Sequence, residues 1–460
     1  MNRSANAEWW RPDVAVDRGD RGEAPAAADS QISDSAIPFW ALMAFTFILL
    51  FAPQSYFPAL APFRIALLTA VVAITTYLFD KFTSGKPVIM RTREMWITAC
   101  LIAWAILTVP FSLRPRESVS FLLETYFKTL AIFWLLSHTV NTLARLRQVS
   151  WGLSLMAVPL AVTAVEHFLS GVVLVPGEYA RVLGNEAALT KNPNDLALML
   201  NLILPLCVAL FLDTRRPWVR TLLLAMIVLD VTAVIITFSR AGFLTLATTL
   251  AMYLWKLRKR PERGWAVAAL VIALVGLPLL PSSYWDRLST ITNKDSDPTG
   301  SAQARWRDTL AAADLVVQNP IVGVGVGMNS LALIEERGPD RDVANKQLLE
   351  VHNVYLQYAV ELGIPGLVLF LMLLAGCMKS TMSVQGRSAG VPALRELFYL
   401  AEGIQTSLIA FAVAAMFQPS AYHIYFYYMA GLAVAAKSVY GTVKPAHDQN
   451  QSTLPLRKQL

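Results

Sequence analysis

Twelve long apolar runs constrain this chain more than any other feature of its sequence. Each is close to the roughly 20 residues that an α-helix needs to cross the hydrocarbon core of a bilayer. Only helices and closed barrels satisfy all their backbone polar groups in lipid. The runs predict an all-α polytopic membrane protein with about twelve transmembrane helices, at 38–58, 62–80, 94–113, 119–139, 149–169, 195–212, 220–238, 241–256, 264–281, 353–377, 398–417 and 421–440.

The composition excludes an ordinary soluble protein of this length. Of the 460 residues, 55% are hydrophobic and 15% are charged, and the mean hydropathy is +0.48. Soluble domains carry about 25% charged residues. Much of the molecular surface is therefore expected to face lipid rather than water.

The chain divides into a membrane domain with a polar segment at each end. Residues 1–36 are rich in Ala, Asp, Ser and Gly, which predicts a disordered cytoplasmic tail. We expect the membrane domain at 37–440 and a second cytoplasmic tail at 441–460. The first apolar run lies too far from the N-terminus, and lacks a preceding basic residue, to be a signal peptide.

The distribution of Lys and Arg between the loops predicts the orientation. With the N-terminus inside, the five inner loops hold seventeen of these residues and the short outer loops hold five. Cytoplasmic loops carry such an excess, so both termini are predicted to be cytoplasmic. The net charge of +7 follows mostly from this bias and does not indicate a nucleic-acid partner.

Two predicted outer loops, 170–194 and 282–352, are longer than a simple connection. Loops as long as the second are usually functional. Within it, "GSAQARWRDTLAAADLVVQNP" predicts an amphipathic helix that ends at Asn319-Pro320 and lies along the membrane surface or covers the spans. Its apolar stripe comprises Trp306, Leu310, Ala313 and Val317.

A histidine stands where the tenth apolar run begins, and two glycines follow below it. His352 is a candidate proton acceptor, because a helix N-terminus disfavours the cationic imidazole. A structural histidine is the alternative. Gly363 lies eleven residues on, on nearly the same face of an ideal helix, and Gly366 lies close to it. The glycines make room either for close helix packing or for a lipid tail.

Arginines near the outer boundary are the other candidates. Arg240, in "TFSRAGF", separates two apolar runs, and Ser239 can cap the run that follows. Its alternative role is to reach the lipid headgroups. Arg305 and Arg181 lie in the two long outer loops, where a solvated charge is the alternative.

Several other polar patterns indicate structure rather than chemistry. Asp295 and Asp297 resemble a metal-binding D-x-D but lie in a Pro/Gly turn, and "IVGVGVGM" predicts a tight turn back to the membrane. Glu124 and Lys128, four residues apart in a span, can neutralise each other. Asp230 has no partner in its own helix, and the cysteines Cys100, Cys207 and Cys377 are not placed for an outer disulfide.

Four segments in order resemble the O-antigen ligase-related superfamily of bacterial envelope proteins. The ligase pattern H-[NSQ]-x9-G-x-x-G is matched by His352, Asn353, Gly363 and Gly366. "TFSRAG" is similar to the serine–arginine step of the family, and "RWRDTLAAADLVVQNPIVGVGVG" to its R-x-x-x-W/L…NP-x-x-G-x-G segment, with Arg305 in the arginine position. "VLGNEAALTKNPNDLAL" resembles a lengthened form of its G-x-x-x-N-P-N-x-L-A segment, which includes Asn194.

The resemblance implies a GT-C-like glycosyltransferase that works at the periplasmic face of the bacterial inner membrane without cofactor or metal. Its donor is a glycan on undecaprenyl diphosphate. His352 corresponds to the base, and Arg240 and Arg305 to a clamp for the diphosphate. Arg181, Asn194, Asn353, Gly363 and Gly366 are candidate supporting residues.

The sequence leaves the acceptor open. A ligase uses lipid A–core sugar, a polymerase uses another lipid-linked glycan, and an oligosaccharyltransferase uses protein. A polysaccharide-precursor transporter or flippase is the alternative class. Transporters usually show internal repeats and charges at mid-membrane, and this chain has no evident repeat.

Overall fold

The computed structural model describes residues 35–171, 182, 189–190, 192–276, 278, 285, 301–337 and 349–452, with backbone only at 61, 301–302 and 444–452. Most of the predicted tail at 1–36, Arg181, and the Asp295–Asp297 pattern lie outside the described residues. The two long loops predicted to face outward, here called the outer loops after that prediction, are described in part, through 189–190, 301–337 and 349–352.

The described chain is built of α-helices joined by short connections. In chain order they are α1 (Ile37–Phe51), α2 (Pro53–Tyr56), α3 (Ile65–Ser84), α4 (Arg93–Leu107), α5 (Pro115–Phe121), α6 (Phe127–Thr139), α7 (Leu143–Leu169), α8 (Pro193–Asp213), α9 (Pro217–Ile236), α10 (Arg240–Leu257), α11 (Arg263–Gly276), α12 (Ser301–Gln318), α13 (Asn329–Arg337), α14 (Val354–Ser388), α15 (Arg395–Ala414) and α16 (Ile424–Ser452). A π-helical turn, Leu122–Tyr126, joins α5 to α6.

All twelve predicted apolar runs coincide with helices. Within the described residues, eight helical segments are long and apolar enough to cross a membrane, and α1 and α11 are shorter apolar helices. The prediction of an all-α polytopic membrane protein is confirmed. The number twelve stays a prediction, and α16 continues past the predicted span end at 440 to Ser452.

The helices differ greatly in how far the protein encloses them. The most apolar stretch of α8 is 89% buried and packs against α9 and α15, whereas that of α3 is only 17% buried. The core therefore lies around α8, α15 and α16. Helix α3 stands at the edge of the bundle, where its apolar side chains are available to lipid.

Helix α14 is broken near its start, at Gly363 (φ 67°, ψ −175°). A break leaves backbone groups without intrahelical partners, which is costly inside a membrane. The outer loop and α4 supply replacements. The carbonyls of Val360, Glu361 and Leu362 accept hydrogen bonds from the Val324 amide (2.8 Å), the Gly325 amide (3.0 Å) and Trp104 Nε1 (2.8 Å), and the Ile364 amide donates to the Pro320 carbonyl (2.8 Å).

This contact explains why glycine occupies position 363. A Cβ there would lie 2.0 Å from the Ile321 carbonyl oxygen, and the positive φ disfavours other residues in any case. Gly325, in the facing turn, is held equally close to Ser112. Of the two sequence interpretations, close backbone packing is the one that the structure supports, and the turn at "IVGVGVGM" is confirmed.

A buried carboxylate completes the attachment of the outer loop. Glu361 has no exposed surface, and it accepts hydrogen bonds from the Gly327 amide (2.8 Å), the Asn329 amide (3.2 Å) and Asn329 Nδ2. Charge-assisted bonds of this kind are among the strongest in proteins. The residues that join α12 to α13 are thus fixed to α14.

The amphipathic helix predicted in the large outer loop is present as α12 and ends before Asn319, as expected. Its buried face consists of Asp308, Ala311, Ala312 and Leu315, whereas the predicted stripe at Trp306, Leu310, Ala313 and Val317 is exposed. Helix α12 therefore covers the spans with its small residues, because these permit close approach to α14, and the larger apolar residues face outward.

One of the polar patterns in the spans differs from expectation, and another agrees with it. Glu124 and Lys128 form no ion pair with each other, because the π-helical turn at Leu122–Tyr126 changes the side-chain spacing that an α-helix gives at four residues. Asp230 is fully buried, and neither carboxylate oxygen has a hydrogen-bond partner among the described residues. The structure offers no account of Asp230.

The break at Gly363 and its replacement hydrogen bonds lead to a prediction about stability. Gly363→Ala should lower stability by at least about 2 kcal/mol, because the positive φ and the contact with Ile321 both penalise a methyl group. The thermal unfolding temperature of the purified protein measures this. Gly386→Ala is the matched control on the same helix, since nothing lies near its Cβ position. An equal effect at both positions would contradict the account of the break.

Candidate functional site

His352 lies in a short non-helical segment directly before α14. Its Nδ1 is 2.8 Å from the Glu350 carbonyl oxygen. A carbonyl can only accept a hydrogen bond, so Nδ1 carries the proton in the neutral ring. The lone pair is then on Nε2, which is the nitrogen available to take a proton from another molecule.

The surroundings of His352 favour the neutral ring. Burial and, to a smaller extent, the positive charge of Arg305 lower the pKa of His352 to about 4, against the raising effect of the Glu350 carbonyl. Arg305 and His352, which are 47 positions apart in sequence, are therefore close enough to interact electrostatically. At neutral pH the imidazole is uncharged beside a guanidinium group.

Three contacts fix the backbone around His352. The Val351 amide donates to Asn329 Oδ1 (3.2 Å), and Asn329 is itself held by Glu361. Asn353 caps α14 by accepting from the Leu356 amide (3.0 Å), and the Val354 amide donates to the Ala415 carbonyl (2.7 Å). The position of the imidazole thus depends on the outer loop, on α14 and on the end of α15.

Arg240 begins α10 directly after a strained turn. Phe238 has a positive φ of 52°, a conformation that costs a residue with a side chain about 1–3 kcal/mol and is often found at functional sites. Ser239 caps α10, as predicted, by accepting from the Gly242 amide (3.1 Å). The turn leaves Arg240 half-buried at the same end of the bundle as the start of α8.

The start of α8 contacts the Arg240 turn directly. Ser239 Oγ donates to Asn194 Oδ1 (2.8 Å), and Gln418 Nε2 donates to the Asn194 carbonyl (3.0 Å). Neither Asn194 nor Asp195 is the N-cap of α8. The cap is Asn192, whose side chain accepts from the Asn194 amide because Pro193 occupies the first helical position.

Acidic residues connect the two halves of the site. Asp195, in the first turn of α8, and Glu350, two residues before His352, are close enough for their carboxyl groups to interact electrostatically. Burial raises the pKa of Glu350. Hydrogen bonds and electrostatic interactions thus link Ser239 beside Arg240, through the first turn of α8, to Glu350, His352 and Arg305.

The predicted site residues fall into three groups. The structure brings Arg305 to His352, and it joins Asn194 to the Arg240 turn. Asn353 and Gly363 hold the backbone, while Gly366 is buried below the break, where a Cβ would lie 2.3 Å from that of Leu362. Arg181 lies outside the described residues. Within the described residues, no group of three His, Cys, Asp or Glu could hold a metal ion.

Three contributors to this site, Glu350, Glu361 and Gln418, were not among the predicted residues. Glu350 and Gln418 have no periodicity or spacing that distinguishes them from other polar residues. Glu361 is the one that carried a signal. It is an acidic residue inside a span-length apolar run, two positions before Gly363, and such residues usually face the protein interior and have a function.

The electrostatics predict how His352 titrates. With a pKa of about 4, the ring should remain neutral from pH 8 down to about pH 5 and gain its proton below that, whereas an ordinary histidine titrates near pH 6.5. Arg305→Gln should raise the pKa, because it removes a neighbouring positive charge. NMR of protein labelled at histidine, with the signal assigned by His352→Gln, measures both values.

An exposed arginine two positions further along α12 provides the control. Arg307→Gln should leave the His352 titration nearly unchanged, since no effect of Arg307 on this imidazole is found. A wild-type pKa near 6.5, or equal shifts in the two arginine variants, would contradict the pairing of Arg305 with His352.

Comparison with known proteins agrees with the geometry. Residues 225–371 match the family model Wzy_C, described as O-antigen ligase. This stretch begins in α9 and ends within α14. It therefore contains Arg240, Arg305 and His352, together with the break of α14 at Gly363. No curated protein matches the chain. The match of residues 225–371 confirms the chain's resemblance to the O-antigen ligase-related superfamily.

Proposed function

We propose that this protein is an inner-membrane glycosyltransferase that moves or extends a glycan linked to undecaprenyl diphosphate at the periplasmic face. The observation that carries the proposal is the neutral His352, with Nε2 available, within electrostatic range of Arg305. A base next to a permanent cation suits a reaction in which a hydroxyl loses a proton while an anionic group departs.

The arginines bind and stabilise the diphosphate in this mechanism. Guanidinium groups keep their charge and form paired hydrogen bonds with phosphate oxygens, and both properties favour Arg over Lys here. Arg305 and Arg240 are each half-buried at this end of the bundle, where partial exclusion of water strengthens their attraction for an anion. No metal takes part in the proposed step.

The transfer itself forms one bond and breaks one. The oxygen of the acceptor hydroxyl attacks the anomeric carbon of the donor glycan, and the bond from that carbon to the diphosphate oxygen breaks. The hydroxyl proton passes to His352 Nε2, and the electron pair of the broken bond leaves with undecaprenyl diphosphate. Arg240 and Arg305 stabilise the negative charge that develops on this leaving group.

Donor binding should also improve the base. In the free protein the charge of Arg305 contributes to the low pKa of His352. A diphosphate bound to Arg305 offsets that charge and places negative charge near the imidazole, which raises the pKa toward neutrality. A base is most effective when its pKa is near the working pH. His352 therefore becomes a stronger base when the donor is in place.

The acceptor remains one of three classes: lipid A–core sugar, another lipid-linked glycan, or protein. Each presents a hydroxyl that the proposed base can deprotonate. The residues that hold the diphosphate are the same in all three reactions, so the site geometry supports the transfer without selecting among them.

Kinetics of purified variants test the assignment of roles. His352→Ala should reduce turnover by about 10²–10⁴-fold, the usual contribution of a general base, with donor binding retained. Arg240→Lys and Arg305→Lys should weaken donor binding as well as turnover, because a point charge does not replace a planar fork. The assay uses the lipid-linked glycan as donor and contains EDTA throughout.

Matched control variants distinguish a loss of catalysis from a loss of folded protein. Arg307→Lys, on the exposed side of α12, and His167→Ala, in the last turn of α7, should retain wild-type specific activity. Full specific activity in folded His352→Ala would refute its role as base. Movement of the donor across vesicles without any transferred product would instead favour the transporter.

The proposed orientation has its own test. In a Cys100→Ser background, Val317→Cys on α12 should react with an impermeant thiol reagent added from the periplasmic side, because Val317 is 79% exposed. Lys259→Cys, in the basic connection after α10, should not react. Cys207 and Cys377 are buried and contribute no background. The reverse labelling pattern would place His352 in the cytoplasm.

A further inference from the structure

A second site lies away from the residues assigned to transfer. A cavity of about 860 Å³, here called the lateral cavity, lies between α1, α3 and α6. His352, Arg240 and Arg305 do not line it. Its volume is within the range of about 300–1,000 Å³ that is typical of ligand sites. The proposed transfer chemistry does not use this space.

The lateral cavity faces the bilayer. Helix α3 packs chiefly against α1 and makes few contacts with α6, so the cavity is the gap between α3 and α6. Exposed apolar side chains of α3, including Leu67 and Val71, stand at the gap and also line the cavity. A hydrocarbon chain can therefore enter sideways from the membrane without crossing water.

Polar residues occupy one end of the lateral cavity. Thr129 Oγ1 donates to the Tyr422 carbonyl (3.0 Å), which places this part of α6 at the level where α16 begins. Lys128 adjoins Thr129, and Arg64 immediately precedes α3. The polar lining at this end consists of Gln54, Arg64, Glu124, Thr125, Lys128 and His423, whereas the deeper lining is aliphatic, with Leu42, Ala73, Ile74, Ile132 and Leu135.

The polar end carries groups that a ligand can satisfy. Arg64 and Lys128 face a single carboxylate, Glu124, which pairs with neither of them. Gln54 Oε1 is buried without a hydrogen-bond partner among the described residues, and such an atom is costly to leave unpaired. Arg64 also has a positive φ of 45°, the kind of strain that is often found at ligand sites.

We propose that the lateral cavity binds a membrane lipid with a phosphate-bearing headgroup. Its hydrocarbon chains lie between α3 and α6, its phosphate contacts Arg64 and Lys128, and a headgroup hydroxyl donates to Gln54. The aliphatic interior of the cavity matches the hydrocarbon chains of a lipid, and the net positive polar end matches its phosphate. A soluble anion would leave the aliphatic part empty, and a neutral lipid would leave the two cations unmatched.

One aromatic contact links the wall of the lateral cavity to the helix that follows His352. Tyr422 lines the cavity and also packs against Tyr358 of α14, with ring centroids 5.1 Å apart. Tyr358 lies less than two turns beyond His352. A lipid in the cavity thus lies against a wall that contacts α14, while the donor diphosphate is assigned to the separate position of Arg240 and Arg305.

Native mass spectrometry of the full chain in detergent measures the binding. The probes are dioleoyl phosphatidylglycerol and dioleoylglycerol, which share their chains and differ in the phosphate. The double variant Arg64→Gln/Lys128→Gln should bind phosphatidylglycerol at least tenfold more weakly, given that each cation near a lipid surface contributes about 1 kcal/mol. Its binding of dioleoylglycerol should be unchanged.

The matched control removes the same charge elsewhere. Lys259→Gln/Lys379→Gln changes two exposed lysines away from the cavity and should bind both lipids as the wild type does. Equal loss in the two double variants, or wild-type phosphatidylglycerol binding in Arg64→Gln/Lys128→Gln, would overturn the proposal. Neither measurement requires donor or transfer, so failure of the proposed function leaves this test intact.

A second variant tests the hydrocarbon part. Ala131→Phe adds a ring to the cavity wall on α6 and should weaken the binding of both lipids. A dimer that Ala131→Phe abolishes, with no lipid bound to the wild type, would mean that another copy of the chain fills the gap and would overturn the lipid assignment. If Ala131→Phe does not fold, the two charge variants decide the question.

Discussion

The requirement that backbone groups be paired inside a membrane organises the functional half of this protein. The break in α14 at Gly363 frees three carbonyls and one amide, and the chain from Pro320 to Gly325 pairs with most of them. Unpaired, these groups would each cost several kcal/mol in lipid. Pairing therefore ties the large outer loop to the membrane domain, and through Asn329 it also fixes the backbone that leads to His352.

The attachment of this loop to α14 also affects the electrostatic environment of His352. Helix α12 carries Arg305, and its small buried residues lie against α14 because the loop that follows it is held at the break. Arg305 is thereby kept close to His352 and lowers the pKa of that histidine. Burial at this position and the nearby Arg305 together favour the neutral imidazole. In the proposed mechanism, the cation that binds the anionic donor also helps to keep the base neutral before the donor arrives.

The sequence predicted the features that depend on apolar length and on local motifs. The apolar runs coincide with helices, Ser239 caps α10, and α12 ends before Asn319-Pro320. It could not predict pairings between distant segments, such as Asn194 with Ser239 or Glu361 with Asn329. Nor could it show that Glu124 and Lys128 stay apart, since the π-helical turn depends on how α5 and α6 pack. Periodicity describes one helix, whereas these contacts need two.

The shared hydrogen bonds across the break have a consequence for how this protein can be recombined with its relatives. A chimera that exchanges the large outer loop alone would place a foreign turn against the Val360–Leu362 carbonyls. The hydrogen bonds across the break would then no longer be matched in geometry. The natural unit of exchange is the loop together with the first turns of α14 and with Ser112, against which Gly325 packs. Under the proposed function, any acceptor specificity carried by the loop is therefore expected to transfer only when the broken helix is transferred with it.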